Sequence, residues 1–185
     1  TVQMLEMGAP VVLCCNMMDE ARAAGIHIDM ERLSSLMGIP VLPMVARTGE
    51  GLTEAMSVAV QLAKEGKRNA LRISYGSDID PVLLDMEKRI EDEGLLASKY
   101  MPHWVALKML EADSEILSEV RAANAELYEE LDAMRKKAMS HVRSTLNTNL
   151  ESIITDYRYG FIRSLLRDGI VTQDAGKDRL ALSDK

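Results

Sequence analysis

The sequence predicts an α/β segment followed by an all-α segment. Residues 11–45 alternate short apolar runs with helix-like stretches, a pattern typical of a small parallel sheet. Beyond Asp80, apolar side chains recur at spacings of three and four residues, which is typical of amphipathic helices. No convincing strand pattern follows Lys67. We therefore expect the second segment to be a bundle of four or five helices.

Composition excludes several classes of protein. The 185 residues allow one large domain or two small ones. A net charge of −7 and a pI of about 5.1 argue against nucleic acid as a partner. The sequence contains no run of 18 apolar residues, so it predicts no transmembrane helix. Because it opens inside a helix-like stretch without an initiator Met, we expect a piece of a longer protein.

The first third is predicted to be a βαβα unit. Thr1–Met7 is the predicted end of a helix, and Val11–Cys15 is a short continuous apolar run typical of a buried strand. Asp29 is the predicted N-cap of the next helix and Gly38 its predicted end. Cys14 and Cys15 are expected to be buried free thiols, because neighbouring strand residues point to opposite faces.

A second strand is predicted over Ile39–Val45. Its two prolines favour the edge of a sheet, where a missing N–H is harmless. A glycine-rich loop over Ala46–Gly51 and a helix ending at Gly66 complete the unit. The two strands should be parallel, with a right-handed crossover between them.

Helix signals define the second segment. Asp80–Pro81 is predicted to begin one helix with Asp80 as its N-cap, and Pro102 another. Thr148 and Glu151 are spaced as a capping box before the last helix. Its predicted buried face is Ile153, Ile154, Tyr157, Phe161 and Leu165. The predicted domains are residues 1–66, a linker at 67–78, a helical domain at 79–169 and a tail at 170–185.

Asn16 and Asp19 are the candidate binding residues. Ligands of open α/β sheets bind outside the carboxyl ends of the strands, where both residues are placed. Guanine presents a ring N–H and an amine on one edge, and one carboxylate accepts both, whereas adenine has no such pair. The alternative is a turn in which Asp19 and Glu20 only cap a helix. No catalytic constellation or metal site is predicted, and His103 and His141 are expected to be isolated.

Longer motifs resemble one family. The order of strands, Asn-x-x-Asp and glycine-rich loop resembles the C-terminal half of a translation-factor-class GTPase domain. A more specific likeness lies in the stretches Asn16–Ala21, Gly25–Asp29, Gly38–Val41, Trp104–Asp113, Tyr157–Ile162 and Leu182–Lys185. They are similar to FeoB, the bacterial ferrous iron transport family, in which a cytosolic GTPase domain and a helical domain precede a membrane permease.

The resemblance implies a partial P-loop-GTPase-like parallel sheet unit joined to a helical bundle, with GTP or GDP as ligand and Mg²⁺ in the longer protein. Ala46 would donate its backbone N–H to the guanine carbonyl. Met17 stands where the guanine-specificity motif usually has Lys after its Asn, and Val45 where many GTPases have Ser. Both departures imply weak, fast-exchanging binding. The implied guanine-binding residues are Asn16, Met17, Asp19, Val45, Ala46 and Arg47.

Phosphate-binding motifs are absent from the sequence. It contains no Gly-x-x-x-x-Gly-Lys-Ser/Thr and no Asp-x-x-Gly following one. The resemblance implies that the longer protein is a GTPase, but without these motifs we expect no GTP hydrolysis from this chain. The resemblance implies the cytoplasmic face of the bacterial inner membrane as its location. Implied partners are guanine nucleotide, the N-terminal half of the GTPase domain and the C-terminal permease of the same protein, with no nucleic acid.

The sheet is expected to need completion. One neighbour of the strand at 11–15 lies outside the sequence, so we expect self-association, a domain swap or the missing half to cover its edge. Two other functions stay open. One is the corresponding half of another translation-factor-class GTPase, and the other is a helical interaction module that binds no nucleotide.

Overall fold

The computed structural model describes residues 1–66, 71–167 and 169–174. Short strands alternate with helices in the first part, and five helices follow among the described residues, as the sequence predicted. None of the described helices is both long and apolar enough to cross a bilayer. The elements are α1 (Val2–Glu6), β1 (Leu13–Cys15), α2 (Met18–Ala23), β2 (Ile26–Ile28), α3 (Met30–Met37), β3 (Val41–Pro43), α4 (Leu52–Glu65), α5 (Asp80–Asp92), α6 (Pro102–Leu110), α7 (Ser114–Ala123), α8 (Ala125–Leu146), α9 (Leu150–Arg167) and β4 (Val171–Gln173).

Contacts divide the chain into two compact units. The first contains Thr1 and the described residues of 10–69 and 161–185; the second contains 2–9 and the described residues of 70–160. Helix α1 therefore groups with the later helices. The sequence-based domain boundaries stay a prediction. Residues 67–70 of the predicted linker and 175–185 of the predicted tail, including the family-like stretch Leu182–Lys185, lie outside the described residues.

The first unit contains two small sheets. Strands β1 and β3 are parallel, with Leu13 opposite Val41, which confirms the predicted parallel pair. Strands β2 and β4 form a separate antiparallel pair. The thiols of Cys14 and Cys15 are free but only half-buried, so the expectation of full burial is wrong. Burial and the neighbouring Cys14 raise the pKa of the Cys15 thiol.

Strand β4 corrects the expectation that no strand follows Lys67. Its three residues, Val171–Gln173, are too few to display an alternating pattern, and all are exposed. Its partner β2 is equally short and was not predicted either. Local sequence carries no signal for such a strand because its stability comes from a partner far away in the chain.

Helix ends agree with the sequence in part. Asp29 caps α3 by accepting from the Arg32 N–H at 2.9 Å, and Gly38 ends that helix in the left-handed region, as predicted. Asp80 is not an N-cap: Ile79 occupies that position, and the Asp80 carboxylate accepts from the Tyr75 N–H at 2.7 Å.

The capping box at Thr148 and Glu151 is wrong as well. Asn149 accepts from the Ser152 N–H at 2.8 Å and is the observed cap of α9. Asn149, one residue after Thr148, accepts from an otherwise unpaired N–H group at the start of the helix. The helix therefore begins near the predicted position but with a different cap.

The buried face of α9 differs from the predicted one. Ile154 and Leu165 are buried as expected, whereas Tyr157 is 42% exposed. Arg158 is buried in its place. A charged side chain is seldom buried unless it is paired, so the apolar pattern alone could not identify this face.

Arg158 is the centre of a buried ionic network in the second unit. Its Nε donates to Glu6 Oε2 at 2.8 Å, and its Nη1 donates to Glu111. The Tyr75 hydroxyl also donates to Glu6, which is completely buried on α1. Burial opposes the charged guanidinium, but Glu111 and Glu6 raise the pKa of Arg158 above its ordinary value, so the group stays protonated. The network therefore attaches α1 to the helical unit.

His103 belongs to a second buried cluster and is not isolated. Its Nδ1 lies 3.0 Å from Glu87 Oε2, and Arg72 also donates to Glu87. Burial opposes ionisation of Glu87, yet the hydrogen bonds from Arg72 and His103 outweigh it and lower the pKa of that carboxyl. His141, likewise expected to be isolated, lies with Nε2 3.0 Å from Asp78 Oδ1.

Replacing Arg158 by Met should destabilise the chain strongly. The change leaves the Glu6 carboxylate buried without its cation, which costs about 3–5 kcal/mol of unfolding free energy. Urea denaturation followed by circular dichroism measures the loss. Arg121→Met is the matched control, because Arg121 is exposed and pairs with exposed Glu129; we expect a change of less than about 1 kcal/mol there. Equal losses in both variants would contradict a special role for the buried network.

Candidate functional site

The candidate residues lie where two parallel strands end. Asn16 follows β1 directly, and Val45, Ala46 and Arg47 follow β3. Because β1 and β3 are parallel, both loops emerge at the same edge of the sheet. Asn16 Oδ1 accepts from the Ala46 N–H at 3.0 Å. The structure thus brings the two predicted loops into direct contact.

The loop after β3 is compact. Val45 is almost fully buried, and its carbonyl accepts from the N–H groups of Thr48 and Gly49 at 3.1 and 3.0 Å. Gly51 has a φ of 77°, and a Cβ there would lie 2.4 Å from the Pro43 carbonyl oxygen. Only glycine fits this turn. The backbone of the loop is therefore held mainly by its own hydrogen bonds.

Asp19 lies in the first turn of α2 and contacts the same loop. Arg47 Nη2 donates to Asp19 Oδ2 at 3.1 Å. Partial desolvation favours the protonated carboxyl, but the hydrogen bond from Arg47 and those from the backbone outweigh it, so the pKa of Asp19 lies below its ordinary value. Asp19 is thus a carboxylate near neutral pH. Helix capping and ligand binding are compatible uses of this side chain.

Met17 is held in an unusual conformation. It precedes α2 with a φ of 64°, in the left-handed region, and the residue is 53% exposed. An exposed thioether beside Asp19 offers apolar contact area without charge. Non-glycine residues seldom adopt this backbone region, and those that do are found disproportionately at functional sites.

Sequence reasoning missed one ion pair at this site. Arg22 Nη2 on α2 lies 2.6 Å from Glu50 Oε1 in the loop after β3. Both side chains are about half exposed, so the pair contributes little stability by itself. It adds a second connection between α2 and the loop. Neither residue belongs to a recognisable motif, so the sequence had no signal for it.

The site combines a main-chain donor with a carboxylate acceptor. The Ala46 N–H lies in the loop after β3, and the Asp19 carboxylate lies in the first turn of α2. Among the described residues, no group of three or more His, Cys, Asp or Glu side chains is arranged to hold a metal ion. The described residues of the site include no candidate nucleophile with a paired base.

Comparisons with known proteins agree on one family. A family model described as FeoB cytosolic helical domain matches residues 75–171, and one described as Ferrous iron transport protein B matches residues 1–59. The chain is 34% identical over its whole length to a Porphyromonas gingivalis Fe(2+) transport protein A/Fe(2+) transporter FeoB fusion protein, of which it covers 22%. It is 30% identical to the Fe(2+) transporter FeoB of Staphylococcus aureus strain COL, over 96% of the chain and 26% of that protein. The chain spans about a quarter of the length of these relatives.

Solved structures give the same result. The cytosolic domain of L. pneumophila FeoB has a TM-score of 0.68 at 25% identity and is matched over 94% of this chain and 61% of its own. A mutant form of S. thermophilus NFeoB bound to GDP has a TM-score of 0.73 at 20% identity, over 90% of this chain and 60% of its own. At that identity, the second likeness supports the fold alone.

Removing the side-chain acceptor of Asn16 should loosen the loop after β3. Asn16→Ala deprives the Ala46 N–H of its partner, and we expect its amide hydrogen exchange to accelerate about 2- to 10-fold. Asn16→Asp retains an oxygen at the same place and should leave the rate nearly unchanged. Exchange measured by NMR on both variants checks this. Identical rates in the two variants would refute the bond between Asn16 and Ala46.

Proposed function

The chain belongs to the FeoB family of ferrous iron transport proteins, and we propose that it supplies the guanine-recognition half of that family's GTPase domain together with the adjoining helical domain. The longer protein would transport ferrous iron in a GTP-dependent manner. Within it, the helical domain would couple the nucleotide state to the membrane permease at the cytoplasmic face of the bacterial inner membrane. Support comes from the two family matches, which lie one after the other along the chain.

One observation carries the proposal for base binding. The hydrogen bond from Ala46 to Asn16 places the loop after β1 against the loop after β3, with Asp19 and Arg47 in contact beside it. The Asp19 carboxylate would accept both guanine donors, and Ala46 would donate to the guanine carbonyl. Val45 anchors the loop, while Met17 would pack against the base.

Both recognition groups have internal partners in this structure. The Ala46 N–H donates to Asn16, and Asp19 accepts from Arg47. Guanine would have to replace or share these partners, so the net gain on binding is smaller than the new hydrogen bonds alone would give. The need to replace these partners is a further reason, besides the residues at Met17 and Val45, to expect weak, fast-exchanging binding.

The residues of this chain would bind and orient the base. Hydrolysis of GTP depends on positioning the phosphates and neutralising their charge, and Mg²⁺ supplies part of that charge when bound. The described residues offer no cluster suited to a metal ion. The sequence also contains no phosphate-binding motif. GTP cleavage would therefore require the phosphate-binding half of the domain, and this chain alone should bind guanine nucleotides without turning them over.

Asp19→Asn should change nucleotide preference in the longer protein that contains this chain. An amide cannot accept both guanine donors, so GTP affinity should fall about 10- to 100-fold. Xanthine nucleotides, which have a carbonyl in place of the amine, should be favoured instead. Fluorescence titration with GTP and XTP measures both effects. Glu20→Gln removes a neighbouring carboxylate and is the matched control, with both affinities expected to stay unchanged.

An unchanged GTP affinity in Asp19→Asn would contradict the assignment of the base site. A loss of affinity for GTP and XTP alike would point to a folding defect, which circular dichroism of the variant detects. A preference for adenine nucleotides in the unmodified protein would also contradict it.

The first unit should associate through its open apolar face. A groove of about 350 Å³ lies between the sheet and α4, and Leu52, Met56 and Val60 on α4 are each about half exposed. In the longer protein the missing half of the domain would cover this face. In the isolated chain, self-association or a domain swap would do so.

Light scattering coupled to size-exclusion chromatography tests this expectation. The isolated chain should have a mass above 20.5 kDa at high concentration, and Met56→Glu should shift it towards the monomer. Met139→Glu, at a comparably exposed position of the second unit, is the control and should leave the association unchanged. A strictly monomeric chain at high concentration would refute the prediction.

A further inference from the structure

Strand β4 is attached to β2 mainly by backbone hydrogen bonds. The Asp29 N–H donates to the Ile170 carbonyl at 2.8 Å, and the Asp174 N–H donates to the Gly25 carbonyl at 3.0 Å. These bonds lie at the two ends of the pair. All three residues of β4 are exposed, so the strand itself is not held by apolar burial.

Helix α2, which carries Asp19, has few stabilising contacts of its own. It is six residues long and buries only Met18. Helices of this length are not stable alone in water, so their position depends on neighbouring elements. The loop after β3 holds one side through the pair of Arg22 with Glu50. At the other end the chain turns at Gly25, whose carbonyl accepts from the Asp174 N–H next to β4.

We propose that β4 is a positioning element for the base site: it fixes the C-terminal end of α2, and thereby the orientation of Asp19, so that nucleotide occupancy and β2–β4 pairing stabilise each other. The inference rests on the proposed function. Its physical basis is linkage: if pairing of β4 favours the conformation that binds guanine, bound guanine must favour pairing of β4 by the same factor.

The side chains that cross this pair contribute less than its backbone. His27 Nε2 lies 3.2 Å from Asp174 Oδ1, but both side chains are more than half exposed. Exposed pairs of this kind add little stability. A decisive variant must therefore interrupt the backbone ladder.

The register identifies the position at which to interrupt it. His27 lies opposite Thr172. Hydrogen-bonded and non-hydrogen-bonded pairs alternate in an antiparallel ladder, so this pair, midway between the two bonded ends, is a hydrogen-bonded one. Thr172→Pro removes an N–H that donates to β2.

Val171 provides the matched control. It lies opposite Ile28, in the alternate pair, so its N–H points away from β2. Val171→Pro introduces the same ring into the same strand at the end away from α2, whereas Gln173 is unsuitable because its side chain contacts the Ala24 carbonyl at the end of α2.

The test uses the longer protein with GDP as the probe. We expect Thr172→Pro to release GDP about tenfold faster or more, and Val171→Pro to stay within about twofold of the unmodified protein. A second measurement, hydrogen exchange on the unmodified protein, does not depend on a substitution that could unfold the strand. In the unmodified protein, saturating GDP should slow hydrogen exchange at the His27 and Thr172 amides by about threefold or more. In Asp19→Asn, the same GDP concentration should leave exchange at these amides unchanged. If β4 only stabilised the fold, GDP would not change hydrogen exchange at these amides.

The outcomes separate this inference from the proposed function. GDP binding that depends on Asp19, together with unchanged release from Thr172→Pro and unchanged exchange at β2 and β4, overturns the coupling and leaves base recognition standing. GDP binding that is insensitive to Asp19→Asn overturns both. Equal acceleration of release in the two proline variants also overturns the coupling, because it assigns the effect to strain in the strand.

Discussion

The candidate site depends on the parallel pairing of β1 with β3. Strands that run in the same direction end at the same edge, and this alone brings Asn16 to the loop that contains Ala46. An antiparallel arrangement would separate the two loops by the length of the strands. Each strand has only three residues, so the loops at that edge add hydrogen bonds that are needed to hold the pair in register.

The same loops and α2 are joined by two hydrogen bonds and an ion pair. Asn16 accepts from Ala46, Asp19 accepts from Arg47, and Arg22 pairs with Glu50 beside them. A base bound as proposed would have to take over some of these partners, which would favour short-lived binding.

The second unit uses buried charge where apolar contact would be expected. Glu6, Arg158 and Glu111 form a paired network, and Glu87 pairs with Arg72 and His103. Removing one member leaves another charge buried without a partner, which makes such networks intolerant of change. Since Glu6 lies on α1 and Arg158 on α9, the network joins elements from the two ends of the chain within this unit.

The sequence by itself determined the two strands β1 and β3, the residues that follow them, the run of helices from α5 onward and the cap of α3 at Asp29, because each leaves a pattern in neighbouring residues. Tertiary structure alone decided the pairing of β4 with β2, the burial of Arg158 in place of Tyr157, and the ion pair of Arg22 with Glu50. Each of these depends on a partner distant in the chain. Short exposed strands and paired charges look like ordinary surface in sequence, since their stability comes from the partner and not from local apolar periodicity.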